Sequence, residues 1–316
     1  MNPLVSVIIP TYNRAALVPR AVASVLAQSY RNLELIVVDD GSTDETAQQV
    51  GAIRDPRLRY LREDRRSGVS AARNRGVEAA AGELAAFLDS DDEWLPQKLA
   101  RQVAVLTGAG PEVGLVTCGH LHRHRPSDAS HVSTGPGGVV DITGSLPRGA
   151  PGPPSWLART EALKEAGLFD PEMECSEDFD LVLRVARRRR VLLLDEPLWI
   201  LQDTPGSLLN DSRKRANGFR RLVLKNRDCF AVDRRVHAAT LAFLGQLCCA
   251  AGLRGEGRRW LGEALRQDPL NLRAWATWLA SLGGPHAFHW YLTVAKAARA
   301  RFARSRAIPL PQRKLR

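Results

Sequence analysis

Leu84-Ala85-Ala86-Phe87-Leu88-Asp89-Ser90-Asp91-Asp92 sets the reading of this chain. Five apolar residues in a row fit a short strand buried on both faces. The run then breaks into three carboxylates, so the strand ends where negative charge collects. Two earlier stretches have the same form. Val5-Ser6-Val7-Ile8-Ile9 ends at Pro10-Thr11-Tyr12-Asn13, and Leu33-Glu34-Leu35-Ile36-Val37-Val38 ends at Asp39-Asp40-Gly41-Ser42. Leu58 to Leu61 reads as a third, shorter strand between these and the one at Leu84.

Helical stretches separate the strands. Val18, Val22, Val25 and Leu26 share one helix face. The Asp39–Ser42 turn can cap a helix starting near Thr43, and Val69 to Ala81 is alanine-rich. Strands alternating with helices imply right-handed crossovers and a mainly parallel sheet. Ligands of such sheets bind beyond the carboxyl ends of the strands. One open edge would therefore present all three polar clusters to a single ligand.

Residues 119–155 are rich in His, Gly and Pro and read as an irregular crossing with one or two strands. His122 and His124 fit a solvated strand better than a metal pair, since no acidic or Cys partner is adjacent. Leu157 to Ala166 and Cys175 to Arg187 read as helices, and Val191 to Leu194 as a last strand. Beyond about residue 210 the pattern is helical only. Val236 to Leu253 is uncharged but holds His237, Gln246 and many alanines, which suits a buried helix better than a membrane span. Gly252 to Gly283 reads as a helix pair around Asp268-Pro269, with Ala264 and Leu265 before the turn and Trp275, Trp278 and Leu279 after it. The pair resembles a tetratricopeptide unit. The expected division is 1–210, 211–296 and a basic tail, 297–316.

The formal charge is +11. Residues 213–316 hold 22 Lys and Arg against 5 Asp and Glu, a net of +17, which leaves −6 for residues 1–212. Such a basic third suits a membrane surface, a lipid-phosphate acceptor or nucleic acid, and a solvated Arg-rich helical surface accounts for it equally. Five scattered cysteines make neither a disulfide framework nor a zinc pair, as in a reducing, cytosolic setting. The N-terminal apolar run has no basic segment ahead of it and reads as a strand, not a signal peptide.

Four stretches carry chemistry. Asp89, Asp91 and Asp92 repel one another unless a cation intervenes, and a hard divalent ion takes such oxygens together with substrate phosphates. The structural alternative is a helix cap at Asp91 or Asp92 ahead of Trp94-Leu95. Of Asp39 and Asp40, one could cap a helix and the other accept from a base or ribose. Gly68 to Gly76 suits a helix start, with Arg73 and Arg75 near an end that favours anions. By spacing alone those arginines face water. Ser176-Glu177-Asp178-Phe179-Asp180 at a helix start supplies caps, or a general base for a hydroxyl.

Taken together, five ordered blocks closely resemble family 2 glycosyltransferases: residues 5–14, 35–44, 71–76, 87–96 and 177–184. The resemblance spans residue 4 to about 210. It implies a GT-A fold (a Rossmann-like α/β sheet with flanking helices), here followed by an α-helical C-terminal region. It also implies a nucleotide-diphosphate sugar donor, commonly a UDP-sugar, a divalent metal (Mn²⁺ or Mg²⁺) and inversion at the anomeric carbon. On that likeness Pro10, Thr11 and Tyr12, with Asn13 in the same cluster, line the nucleotide, Asp40 binds its base and Arg73 sits near the diphosphate. Asp89 and Asp91 match the Asp-x-Asp motif, with Asp91 the leading metal ligand and Asp92 beside it. Asp178 matches the catalytic base, supported by Glu177. The implied partners are the donor and a glycan or lipid-linked acceptor. The implied location is the cytoplasm or the inner membrane face, with contact to anionic lipid through the basic third and no nucleic acid. One departure stands out. Many relatives have an Arg-x-His pair where this chain has Gln202 and Thr204, and a degenerate, non-catalytic member that binds nucleotide or glycan is the alternative this motivates.

Overall fold

The computed structural model describes residues 2–123, 131–133, 138–149, 151–202, 211–284 and 286–294. It divides into two compact units, Met1–Phe230 and Ala231–Arg316.

In the first unit β1 (Val5–Thr11), α1 (Val18–Leu26), β2 (Leu33–Asp39), α2 (Thr46–Gly51), β3 (Leu58–Arg62), α3 (Val69–Ala79) and β4 (Leu84–Phe87) follow in order. β1 is buried along its whole length, and β2 nearly so, as their apolar runs require. β2 and β4 both pair parallel to β1, and β3 pairs parallel to β2. α3 lies close against β1 because residue 76 is glycine: a Cβ there would stand 2.4 Å from Ile8 Cγ2. The second helix starts at Thr46, not near Thr43, and Asp44 rather than the Asp39–Ser42 turn accepts the Thr46 N–H, at 3.0 Å.

The later strands make the sheet mixed. β5 (Glu93–Trp94) is followed by α4 (Lys98–Gly108), β6 (Val113–Arg123), β7 (His131–Ser133), β8 (Val139–Asp141) and β9 (Leu157–Arg159). Then come α5 (Thr160–Glu165), α6 (Glu177–Ala186) and β10 (Arg190–Gln202). The principal strand order is β3-β2-β1-β4-β9-β6-β10-β5, with β7 on β6 and β8 on β10. Leu157 to Arg159, expected as the start of a helix, is a strand wedged antiparallel between β4 and β6. Leu157 and Ala158 are buried there, and only Thr160–Glu165 of that stretch is helical. The last strand is far longer than Val191–Leu194, because its parallel pairing with β6 continues through register shifts to Gln202. His124 and Thr204 lie outside the described residues.

α7 (Ser212–Lys225) also belongs to this unit, which carries its limit past the boundary expected at 210. The chain then passes through α8 (Arg227–Ala231). The second unit holds α9 (Arg234–Ala250), α10 (Arg254–Gln267) and α11 (Leu272–Leu282). The expected helix pair around Asp268-Pro269 is α10 and α11, and Asn271 caps α11 by accepting the Ala274 N–H at 3.0 Å. α9 and α10 meet at two glycines: a Cβ on Gly257 would lie 2.4 Å from Cys249 Sγ, and one on Gly245 would lie 2.8 Å from Gly257 O. No helix among the described residues is long and apolar enough to cross a membrane.

Candidate active site

The parallel registers place the three polar clusters side by side. Thr11 stands opposite Asp39, and Ile8 opposite Phe87, two residues before Asp89. The strand order reverses direction at β1, which opens a crevice at that edge.

The first two clusters are sewn together. Asn13, with φ +51°, receives on Oδ1 the Thr43 N–H at 2.8 Å and donates its own N–H to Ser42 Oγ at 2.9 Å. Gly41 takes φ +77°, and a Cβ there would press on the Arg65 backbone at 3.0 Å. Asp39 Oδ1 accepts the Ser42 N–H at 2.8 Å, and the Tyr60 hydroxyl donates to Asp39. Both oxygens of the buried Asp40 accept from the chain, Ser67 N–H at 2.6 Å and Gly68 N–H at 2.8 Å. Asp40 therefore holds the loop that starts α3. Arg66 lies over the Tyr12 ring, 4.3 Å from its centroid. The buried Thr11 Oγ1 has no hydrogen-bond partner.

Arg73 joins the other two clusters. It is 4% exposed, contrary to the solvent-facing reading of its spacing, whereas Arg75 is exposed and pairs with Glu63 at 3.4 Å. Each terminal guanidinium nitrogen takes one carboxylate: Nη2 donates to Asp89 Oδ1 and Nη1 to Glu177 Oε1, both at 2.8 Å. Burial opposes the guanidinium charge, but Asp89 and Glu177 more than offset this and raise its pKa. Nε is buried without a partner. The guanidinium lies 5.2 Å from the Phe169 ring, which stacks on Trp156. Asn74 fixes the Phe169 backbone by two hydrogen bonds, at 2.8 and 2.9 Å.

The carboxylates of the acidic cluster repel one another. Burial, and then the charge of Asp89, push the Asp92 carboxyl up to about 9, although Asp92 Oδ1 accepts the Gln202 N–H at 3.0 Å. Arg20 reaches in from α1 to the Asp91 carbonyl at 2.7 Å and to Glu93 at 3.1 Å. Residues Glu93–Trp94 form a strand and the next helix begins at Lys98, so neither Asp91 nor Asp92 is a helix cap. Among the described residues no three His, Cys, Asp or Glu side chains form a ready-made metal cage. The donor set fits an ion held by one or two carboxylates and completed by substrate oxygens. Gln202 Nε2 is taken up by Glu93 at 2.8 Å.

Asp178 sits in the first turn of α6 and accepts the Phe179 N–H at 2.7 Å. Desolvation, then the adjacent Glu177 charge, raise its pKa to about 7. Two buried networks, neither visible as a motif, hold its surroundings. On α6, Asp180 accepts from Arg184 at 2.8 Å, Lys225 at 2.9 Å and Asn226 at 2.8 Å. Gly218 of α7 lets that helix lie against Cys175, where a Cβ would fall 2.3 Å from the carbonyl oxygen. Facing Asp178 is Gly152, whose segment is braced from below. Gln102 Nε2 donates to Ser155 O at 2.7 Å, and the wholly buried Lys98 donates to Gln102 Oε1 at 2.7 Å. Burial pulls the Lys98 pKa down to about 8. The 98/102 spacing of one helical turn is the only sequence trace of this brace.

Carboxylates at the ends of parallel strands, with a buried arginine between the acidic cluster and the turn bearing Asp178, make this edge of the sheet the candidate site. Comparison with known proteins narrows the class. The model of Glycosyl transferase family 2 matches residues 6–128. WcaA of Escherichia coli (strain K12), which carries the provisional name of a colanic acid biosynthesis glycosyl transferase, is 33% identical over 249 residues, 72% of this chain and 83% of WcaA. The chain belongs to family 2 of the glycosyltransferases. The Escherichia coli enzyme WfgD, a UDP-Glc:alpha-D-GlcNAc-diphosphoundecaprenol beta-1,3-glucosyltransferase, is 41% identical over 103 residues, 33% of this chain and 41% of WfgD. Among solved structures, S. aureus TarS 1-349 in complex with UDP-GlcNAc superposes with a TM-score of 0.60 at 18% identity, covering 93% of this chain and 92% of that one. The mannosyltransferase PcManGT of Pyrobaculum calidifontis, in complex with GDP-Man and Mn²⁺, gives 0.60 at 22% identity, covering 93% and 86%.

Proposed function

We propose that this glycosyltransferase moves a sugar, with inversion, from a nucleotide-diphosphate donor to a hydroxyl of a glycan or lipid-linked acceptor. The observation that carries this reading is the pair of 2.8 Å bonds from Arg73 to Asp89 and Glu177, which ties the acidic cluster to the turn bearing Asp178. A UDP-sugar is the first donor to try, on the names of WfgD and of the TarS complex, with GDP-mannose next on that of PcManGT. Thr11, Tyr12, Asn13 and the Pro10 backbone face the nucleotide, and Asp40 shapes the base pocket through the 67–68 loop it holds. Arg73 keeps positive charge beside the diphosphate.

Asp178 accepts the proton of the acceptor hydroxyl as that oxygen attacks the anomeric carbon from the side opposite the diphosphate. Its pKa near neutrality suits a base working at physiological pH. A single displacement inverts the centre and needs no covalent nucleophile. A divalent ion held by Asp91 with Asp89 and Asp92 would supply electrostatic stabilisation of the leaving diphosphate. Gln202 sits where an Arg is common, and its side chain holds Glu93 rather than reaching for a phosphate. The enzyme works on the cytoplasmic side, peripheral to the membrane, a placement that rests on the lipid-diphosphate acceptor in WfgD's name and on the basic C-terminal third.

The test is a transfer and donor-hydrolysis screen of the purified protein with Mn²⁺ and a panel of nucleotide sugars. Turnover with one donor, abolished by Asp91→Ala and by Asp178→Asn, is expected. Binding of nucleotide with no hydrolysis or transfer for any donor would overturn the reading in favour of a non-catalytic member.

A further inference from the structure

α11 is inside out. Its buried face is small, made of Ala274, Thr277 and Ser281, and packs on α9 and α10. Its opposite face carries Leu272, Trp275, Leu279 and Leu282, which are 80%, 43%, 57% and 52% exposed. Their spacing of three, four and three residues places them on one stripe. Leu270 just before the helix, at 84%, and Trp290 after it, at 69%, are exposed as well. Large apolar side chains left in water in one contiguous stripe mark a surface that something covers.

The charge of the same unit says what covers it. Residues 231–316 hold 15 Lys and Arg against 4 Asp and Glu, a net of +11, so this unit carries the formal charge of the entire chain. Residues 295–316 alone hold eight Lys and Arg and no acid. Leucine and tryptophan on one helix face, with a strongly cationic sequence around it and no helix among the described residues able to span, is the pattern of an element lying in the plane of a bilayer surface. A nucleic acid would use the charge but leave the stripe wet.

We propose that the α11 stripe, Leu272, Trp275, Leu279 and Leu282, seats this enzyme on the surface of an anionic lipid bilayer, for which the net positive charge of its unit selects. This deepens the peripheral placement given above and rests on it, but it does not depend on the donor or on Asp178.

The test is flotation of the full-length protein with vesicles of phosphatidylcholine alone and with about one-third phosphatidylglycerol. Wild type is expected to float with the anionic vesicles and to be released by high salt. Changing the four stripe residues to serine should weaken that binding about tenfold or more, with helicity by circular dichroism, melting temperature and donor hydrolysis unchanged. Leu279→Ser alone serves if the fourfold variant fails to fold. A stripe variant that floats like wild type overturns the stripe and leaves peripheral placement standing. A wild type that binds neither vesicle overturns both, while hydrolysis in the same sample keeps the transferase reading separate. A stripe variant that changes from dimer to monomer by light scattering, with vesicle binding intact, also overturns the proposal and assigns the stripe to a second copy.

Discussion

Residues 1–230 hold 30 basic and 30 acidic side chains, whereas residues 231–316 hold 15 and 4. In the first unit several of those charges are buried and paired: Arg73 with Asp89 and Glu177, and Asp180 with Arg184 and Lys225. In the second, acidic partners are scarce and the large apolar side chains of α11 face outward. A buried charge is costly without a partner and keeps its neighbours in fixed geometry, which suits a reaction site. An excess of surface charge beside an apolar stripe does nothing for a core, which suits a surface that meets another.

The contrast makes predictions of decreasing size. Asp178→Asn should lower the transfer rate by about 10²–10⁴-fold with donor affinity retained, measured by steady-state kinetics and nucleotide titration. Arg73→Met removes one partner from two carboxylates; because Asp89 is partly solvated, the cost should fall at the low end, about 3 kcal/mol by urea unfolding. Gly218→Ala drives a methyl into the Cys175 carbonyl and should cost about 1–3 kcal/mol, with activity falling as the Asp178 turn shifts. Activity should rise with pH through about 7 as Asp178 loses its proton. Removing the neighbouring negative charge with Glu177→Gln favours the ionised form, so that limb should move to lower pH, by roughly a unit or less. Smallest of all, Trp275→Ser should change stability by less than about 0.5 kcal/mol in the same unfolding assay. A large loss there would mean the stripe is core and the contrast between the units false.

Much of the first unit was legible in sequence. The runs at Val5, Leu33 and Leu84 are strands because all but Ser6 and Glu34 in them are apolar, and the polar residues that end them fall on one edge because the strands are parallel. The five blocks carried the family, and the structure brings three of them together where Arg73 bonds Asp89 and Glu177, next to Asp178. Leu157–Arg159 was misread as helix, since three residues have no period of their own and their strand pairing comes from β4 and β6 on either side. Arg20 left no usable trace, and Lys98 and the Asp180 network left only the one-turn spacings 98/102 and 180/184. Their other partners lie at sequence distances from 45 to 73 residues, and no local rule connects them.

Local chemistry by itself determined most of the strands and helices of the first unit and where the acidic turns fall, because the hydrophobic period and turn chemistry are properties of neighbouring residues. Only the tertiary structure decided the rest. It showed that Arg73 is buried between Asp89 and Glu177 and not a surface residue, that α7 belongs to the first unit, and that the apolar stripe of α11 points outward. A helical period reveals that Leu272, Trp275, Leu279 and Leu282 share a face. Which way that face turns is set by what packs behind it, and here the small residues Ala274, Thr277 and Ser281 took the inside.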